Sequence, residues 1–330
     1  MPTLNDIAQR AGVSTSTASR AFREGESITP EMKEKVMKAA RELGYTPNFL
    51  ARSLKSNKSN FIGLDVCDIE NPFYSMIIKA MEEELKKNGY QLILSYSNGD
   101  YREERKNLEL FAGACAVGIA FMPNSSKNHD IVKQLSKKGI AMIQLFNKVY
   151  DFVDTISVLD DRGAYYATKH MLKYGHRKIL FLNVVTPFSN DRADGYRKAM
   201  EEAGVAYEEC YIAKIDTVNK SQCEYIQELI SELKPTAVIA GVYSIGKNTV
   251  RACQKLHLKI PRDISLITFD DVEWPELLDI TAVSQPIEYV GLSIVRMLKD
   301  RIDGKIYSSQ PVITTVEPKL QIRGSVRKID

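Results

Sequence analysis

Cysteine is sparse in this 330-residue chain, and its placement excludes more than its number does. Cys67, Cys115, Cys210, Cys223 and Cys253 are odd in number and never paired as CxxC. They read as reduced structural thiols, and offer neither a disulfide framework nor a metal centre. The histidines His129, His170, His176 and His257 are equally scattered and form no ligand pattern. Long apolar runs are missing too. No stretch reaches the ~18 residues that mark a membrane-spanning helix, and MPTLNDIAQR at the start lacks the apolar segment of a secretion signal. A cytoplasmic protein with no membrane partner is expected. Catalytic signatures are absent as well: there is no GxSxG, no HExxH, no P-loop, and no GxGxxG after a strand. Neither an enzyme nor a cofactor is expected.

What the chain does contain is apolar content of 44%, enough for sizeable cores, and a length that suits two or three folding units. Net charge is +3 and is unevenly spread. Residues 1–60 hold ten Lys or Arg against six Asp or Glu, whereas the remainder holds 35 against 36. The positive excess therefore lies on the first sixty residues, where phosphate contacts would need it.

Those residues open with DIAQRAGVSTSTASRAF at 6–22. Ile7, Ala8 and Ala11 share one helical face, and Thr3 can cap that helix. Gly12 suits a tight turn, Val13 returns to the core, and Ser14 caps a second helix running through Ala18, Ala21 and Phe22. Helix, Gly-containing turn and second helix form a helix-turn-helix signature, with short polar side chains and Arg20 facing outward. Thr29-Pro30-Glu31 starts a third helix, expected to turn Met32, Val36, Ala39, Ala40 and Leu43 inward and to stop at Gly44.

From Phe61 the pattern changes to strands alternating with helices. Strands are expected at 61–66, 90–96, 116–122, 139–146, 155–159, 178–184, 210–215, 236–241 and 264–269, with two more in the tail. Helices are expected between them and over 288–303. Such βαβα order predicts two doubly wound parallel sheets with a binding cleft at the carboxyl ends of their strands.

The run DIAQRAGVSTSTASR at 6–20, LGYTPN at 43–48 and ARSL at 51–54 resemble the headpiece of the lac-repressor (LacI-type) family of bacterial regulators. NPFY at 71–74, YGHRKILFL at 174–182, RADGYRKAMEEAG at 192–204, IPRDISLITFDD at 260–271 and QP at 285–286 extend the resemblance over the whole chain. It implies an all-α helix-turn-helix headpiece at 1–46, a linker with a hinge helix at 47–60, and a two-lobed α/β core at 61–330, similar to periplasmic sugar-binding proteins. The chain would cross between lobes three times, giving lobe 1 about 61–158 plus 286–315 and lobe 2 about 159–285 plus 316–330. The implied protein is a homodimeric repressor of carbohydrate-utilisation genes, reading a near-palindromic double-stranded DNA operator under control of a small-molecule effector. A two-lobed sugar-binding protein or sugar-handling enzyme, whose headpiece is not a DNA reader, is the alternative.

Thr15, Ser16 and Arg20 are the implied base readers, with Asn48, Ala51, Arg52, Leu54 and Lys55 at the linker. The cleft candidates are Phe73, Tyr74, Arg162, Arg192, Asp270 and Trp274. Two departures from the family pattern stand out. TAVIAGVYSIG at 236–246 lacks the usual Asn-Asp pair, and Asp161-Arg162 replaces the usual Asp-Asn. Two guanidiniums, Arg162 and Arg192, would then favour an acidic carbohydrate-derived effector, such as a sugar acid or sugar phosphate, although Arg162 could instead pair with Asp160 or Asp161 at the lobe surface. In the implied hinge, Leu54 wedges into the minor groove. Leu54→Ala should lower both operator affinity and DNA bending, since inserted apolar side chains kink the duplex. Unchanged bending in a circular-permutation gel assay would count against the wedge.

Overall fold

The computed structural model describes residues 2–22, 27–45, 59–184, 191–206, 208–216, 221–306 and 310–329. The chain divides into two compact units, Met1–Ser59 and Asn60–Asp330.

In the first unit three helices, α1 (Leu4–Ala11), α2 (Thr15–Ala21) and α3 (Pro30–Glu42), enclose a small core of Ile7, Ala8, Ala18, Ala21, Val36, Ala39 and Ala40. Each helix start is chemically fixed. Thr3 and Asp6 form a reciprocal capping box on α1, Ser14 accepts from the Thr17 amide at 3.1 Å on α2, and Thr29 caps α3 ahead of Pro30. Gly12 ends α1 at φ 66°, a left-handed conformation that glycine adopts without steric cost. Met32 and Leu43, expected inward, are instead 44% and 37% exposed. Three short helices close around Val36, Ala39 and Ala40 and leave the two ends of α3 uncovered.

In the second unit, lobe 1 is a six-stranded sheet ordered β11-β5-β4-β3-β1-β2. Its strands are β1 (Phe61–Val66), β2 (Gln91–Tyr96), β3 (Gly118–Phe121), β4 (Ala141–Leu145), β5 (Asp154–Val158) and β11 (Ile313–Val316). Helices α4 (Pro72–Lys87) and α12 (Ile287–Ile302) cover one face, and α5 (Tyr101–Gly113) and α6 (His129–Lys137) the other. Lobe 2 repeats the plan in the order β12-β10-β9-β8-β6-β7. Its strands are β6 (Ile179–Val184), β7 (Ile212–Ile215), β8 (Ala237–Ala240), β9 (Ser265–Phe269), β10 (Thr281–Ser284) and β12 (Lys319–Gln321). There α7 (Asp160–Lys173) and α8 (Asp191–Glu202) cover one face, and α9 (Gln222–Leu233) and α10 (Tyr243–Lys255) the other, with the short α11 (Trp274–Leu277) leading into β10. All pairings are parallel except β10 with β12. Strands covered on both faces are apolar almost throughout, as in TAVIAG and, with the exception of Asp65, in FIGLDV, and each large side chain so buried contributes roughly 1.5–3 kcal/mol.

β10 and α11 escaped the sequence reading, because TAVS is only four residues long and carries no alternation. The second tail strand, expected from the run KLQIRGS at 319–325, pairs only over Lys319–Gln321. After β11, only Glu317 and Pro318 precede the strand that joins the other sheet.

The helices α7 and α8 approach closely because position 195 is glycine. A Cβ there would collide with the Asp161 carbonyl oxygen and come within 3.0 Å of the Tyr165 amide. Gly195→Ala should therefore force the two helices apart at a cost of about 1–3 kcal/mol, read as a lowered denaturation midpoint with an unchanged denaturant slope.

Candidate functional site

Two surfaces merit attention, one in each unit. In the first, Thr15, Ser16 and Arg20 are exposed on α2 while Ala18 and Ala21 on its opposite face are buried. The Ser16 hydroxyl lies 3.1 Å from that of Ser14. A short helix displaying hydroxyls and a two-pronged guanidinium has the shape and donor set to enter a major groove. Asn48, Ala51, Arg52, Leu54 and Lys55 lie outside the described residues.

The second surface forms where both sheets present the carboxyl ends of their strands. Asp160, at the start of α7 just past β5, meets Arg192 in the first turn of α8 at 2.9 Å. The Arg192 guanidinium also donates to the Gly241 carbonyl beyond β8 and lies 4.5 Å from the centre of the Phe269 ring. Burial works against its charge, and the carboxylates of Asp160 and Asp270 outweigh that penalty. Asp270 follows β9 at φ 66°, a conformation that disfavours a non-glycine residue. Both of its oxygens are occupied: the Tyr243 amide donates to one at 3.0 Å and Gln285 Nε2 to the other at 2.7 Å. Burial raises the Asp270 carboxyl above its ordinary pKa, with Arg192 the main opposing influence.

Lobe 1 contributes aromatics. The Tyr74 hydroxyl accepts from Cys67 at 3.3 Å, and burial raises the pKa of both groups. Asp270 and Arg192 act electrostatically on Tyr74 across the lobes. Phe146, which follows β4 at φ 66°, lies 5.5 Å from Phe73 and 6.5 Å from Tyr74. Phe73 itself is 5% exposed and belongs to the lobe 1 core, which leaves Tyr74 nearer the cleft chemistry. From lobe 2, Trp274 packs 6.3 Å from Tyr243 and against Gly246, where a Cβ would approach its ring within 2.9 Å. Three buried polar atoms here lack partners among the described residues: Asp160 Oδ1, Arg192 Nε and Trp274 Nε1. A buried polar atom left unpaired costs free energy, so this set defines what a guest would have to offer.

Arg162 does not join them. Its guanidinium pairs with Glu317 at 3.0 Å, with both side chains about half exposed, and the Tyr166 hydroxyl donates to the same carboxylate at 2.5 Å. Positions 160 and 162 point roughly 200° apart around a helix, so turning Asp160 to the cleft turns Arg162 away. The pairing of two guanidiniums expected from the sequence is absent, and each guanidinium has its own carboxylate. Asp160, Tyr243, Gln285 and Phe146 were the contributors the sequence reading missed. Asp160 stood beside the Asp161-Arg162 departure, and Gln285 stood in the QP motif.

Residues 3–48 match the family described as bacterial regulatory proteins, lacI family, and residues 168–326 match the periplasmic binding protein-like domain. The chain is 31% identical over 332 residues to the ribose operon repressor of Haemophilus influenzae, covering 99% of each. It is 30% identical over 337 residues to the transcriptional repressor PurR of Vibrio vulnificus, covering all of each chain. Among solved structures it resembles a transcriptional regulator CelR–cellobiose complex at 25% identity and TM-score 0.72, covering 98% of this chain and 100% of that one. It shares the fold of the lac repressor dimer bound to operator and the anti-inducer ONPF at TM-score 0.82 and 20% identity, covering 99% of each chain.

Of the exposed α2 side chains Arg20 has the greatest power to discriminate bases. Arg20→Ala should cost about 1–3 kcal/mol on a cognate site and relax the preference at one position per half-site. Equal weakening on cognate and random DNA, measured by fluorescence anisotropy, would assign Arg20 to phosphate instead.

Proposed function

The chain belongs to the lacI family of bacterial regulatory proteins and is a DNA-binding transcriptional repressor, and we propose that it acts as a homodimer whose hold on its operator is set by a neutral, hydroxyl-rich small molecule bound between the two lobes. The three unpartnered buried atoms of the cleft carry this reading. Two are N–H donors and one is a carboxylate acceptor, the complement of neighbouring hydroxyl groups, which both accept and donate. Tyr74, Tyr243 and Trp274 supply the apolar faces that sugar rings pack against. One guanidinium already balanced by Asp160, with Asp270 beside it, leaves no surplus positive charge for an acid or a phosphate. That balance favours a neutral carbohydrate over the acidic one inferred from the sequence.

Two-fold pairing follows from the symmetry of operators, since two α2 helices are needed to read two half-sites. Exposed apolar side chains of the second unit, among them Tyr96 at 55% and Leu277 at 82%, are suited to a subunit contact. Lobe closure on a ligand would change the spacing of the two linkers and so convey occupancy to the DNA.

Binding to DNA upstream of the protein's own gene, lost when residues 1–58 are deleted, would separate the repressor from a two-lobed binding protein or enzyme. Calorimetry with matched pairs, such as ribose against ribose 5-phosphate and glucose against gluconate, tests the effector class, and tighter binding of the acidic member would overturn the neutral reading. Asp160→Ala, which removes the acceptor and half of the ion pair, should weaken the bound sugar by about 1–3 kcal/mol, roughly five- to 150-fold.

A further inference from the structure

Lobe 1 buries two carboxyl groups close together, and among the described residues no cation faces either. Asp65 on β1 and Glu104 in the first turn of α5 are both fully buried. Asn107 Nδ2 donates to Asp65 Oδ1 at 2.6 Å. The Asn124 amide and Asn128 Nδ2 donate to the two Glu104 oxygens at 2.6 and 2.9 Å. Asn124 Nδ2 reaches the Ser97 hydroxyl at 2.8 Å, and that hydroxyl donates to the Val66 carbonyl at 3.3 Å. Asp65 Oδ2 is buried, and among the described residues the Ser97 hydroxyl, shared with the Val66 carbonyl, is the one donor near enough to favour its anion.

Among the described residues the surroundings hold no counter-charge. Beside β1, the strands β2 and β3 place Ser95 and Phe121 in register with Asp65. On α5 the basic groups are turned outward: Arg105 pairs with Glu109 and Asp130, Lys106 with Glu103, and Arg102 lies over Tyr101. Towards α6, the Tyr150 hydroxyl donates to the Ser125 carbonyl at 2.7 Å, and Cys67 lies two residues along the chain. Amides and hydroxyls can soften a buried anion, but two anions in one dry compartment repel, and the cheaper state retains a proton.

We propose that this pocket holds one proton in the folded protein and that its release, as pH rises, loosens the loop Met122–Asn128, which makes lobe 1 a pH-sensitive wall of the effector cleft. The loop leaves the carboxyl end of β3 and is fastened by the same Glu104 that faces Asp65. Burial pushes the Asp65 carboxyl up to about 7, with Asn107 and Ser97 pulling down and the nearby Glu104 adding to the rise. Glu104 is raised by burial as well, against the pull of its asparagine partners. The folded state therefore keeps a proton that the unfolded chain gives up near pH ~4. Stability contributed at this site falls as pH climbs between those two values and levels off above them. The coupling to the cleft rests on the effector reading above; the proton itself does not.

The full chain is compared with Asp65→Asn. The melting temperature of the variant should gain on that of the wild type as pH rises from 5 to 8. One aspartate carboxyl carbon, present only in the wild type, should titrate near neutrality by NMR. A melting difference that is flat with pH, or the absence of such a carbon, overturns the bound proton. If Asp65→Asn does not fold, Asn107→Ala replaces it: loss of a bond that favours the anion must raise the midpoint, and an unmoved midpoint is equally fatal. Affinity for a neutral sugar should fall several-fold between pH 6 and 8 in the wild type and stay level in Asp65→Asn. Titration with unchanged affinity would overturn the loop coupling. Failure to bind sugar at either pH would count against the effector reading, while the ligand-free titration still decides the proton.

Discussion

The ion pair of Arg192 with Asp160 governs the architecture of the cleft. Both groups are largely withdrawn from water, where each charge alone would be costly, and removing one partner of such a pair typically costs about 3–5 kcal/mol. The pair fixes the start of α8 against the start of α7, and Gly195 is what lets the helices come near enough. Yet the protein does not finish the job. Among the described residues each partner keeps one buried polar atom unengaged, which is what the proposed effector would satisfy. Asp270 differs, for its two oxygens are already bound by Tyr243 and Gln285, and it acts by shaping the loop and balancing charge.

Both lobes use one strand order, in which the second strand lies outside the first and the third on its other side. This arrangement leaves a natural crevice where the winding reverses. That rule points towards Asp270 and Arg192, which follow a strand or begin the helix after one, and the resemblance to the lac-repressor family is what singled Arg192 out. The headpiece was legible for a different reason. Its caps, its turn glycine and its apolar spacing are local signals, and local signals survive in isolation.

The misreadings share a cause. Proximity to a strand end fixes depth along the axis of a helix but says nothing of azimuth, so Arg162 was assigned to the cleft while Asp160 was passed over. Met32 and Leu43 have the right spacing for a core face, but a unit this small has no neighbours to cover them. β10 gave no pattern in four residues. Asp65 stood inside an apolar run and could be read only as an interruption; its burial and lack of counter-charge depend on α5 and on the loop after β3, which lie some forty to sixty positions further on.

The tail has a consequence for how the molecule is made. β11 completes the lobe 1 sheet beside β5, and the Val312 amide that bonds Asp154 comes 158 positions later in the chain. β12 then closes lobe 2 after a link of two residues. During synthesis β5, an interior strand of the finished sheet, must stand at the edge of lobe 1 until residues 313–316 have left the ribosome. Neither lobe can complete its sheet ahead of the tail, and a chain cut short before it would leave the buried strands β5 and β10 as edges. Such edges are templates for pairing with other chains, so premature termination would yield aggregation-prone fragments and not a half-working regulator.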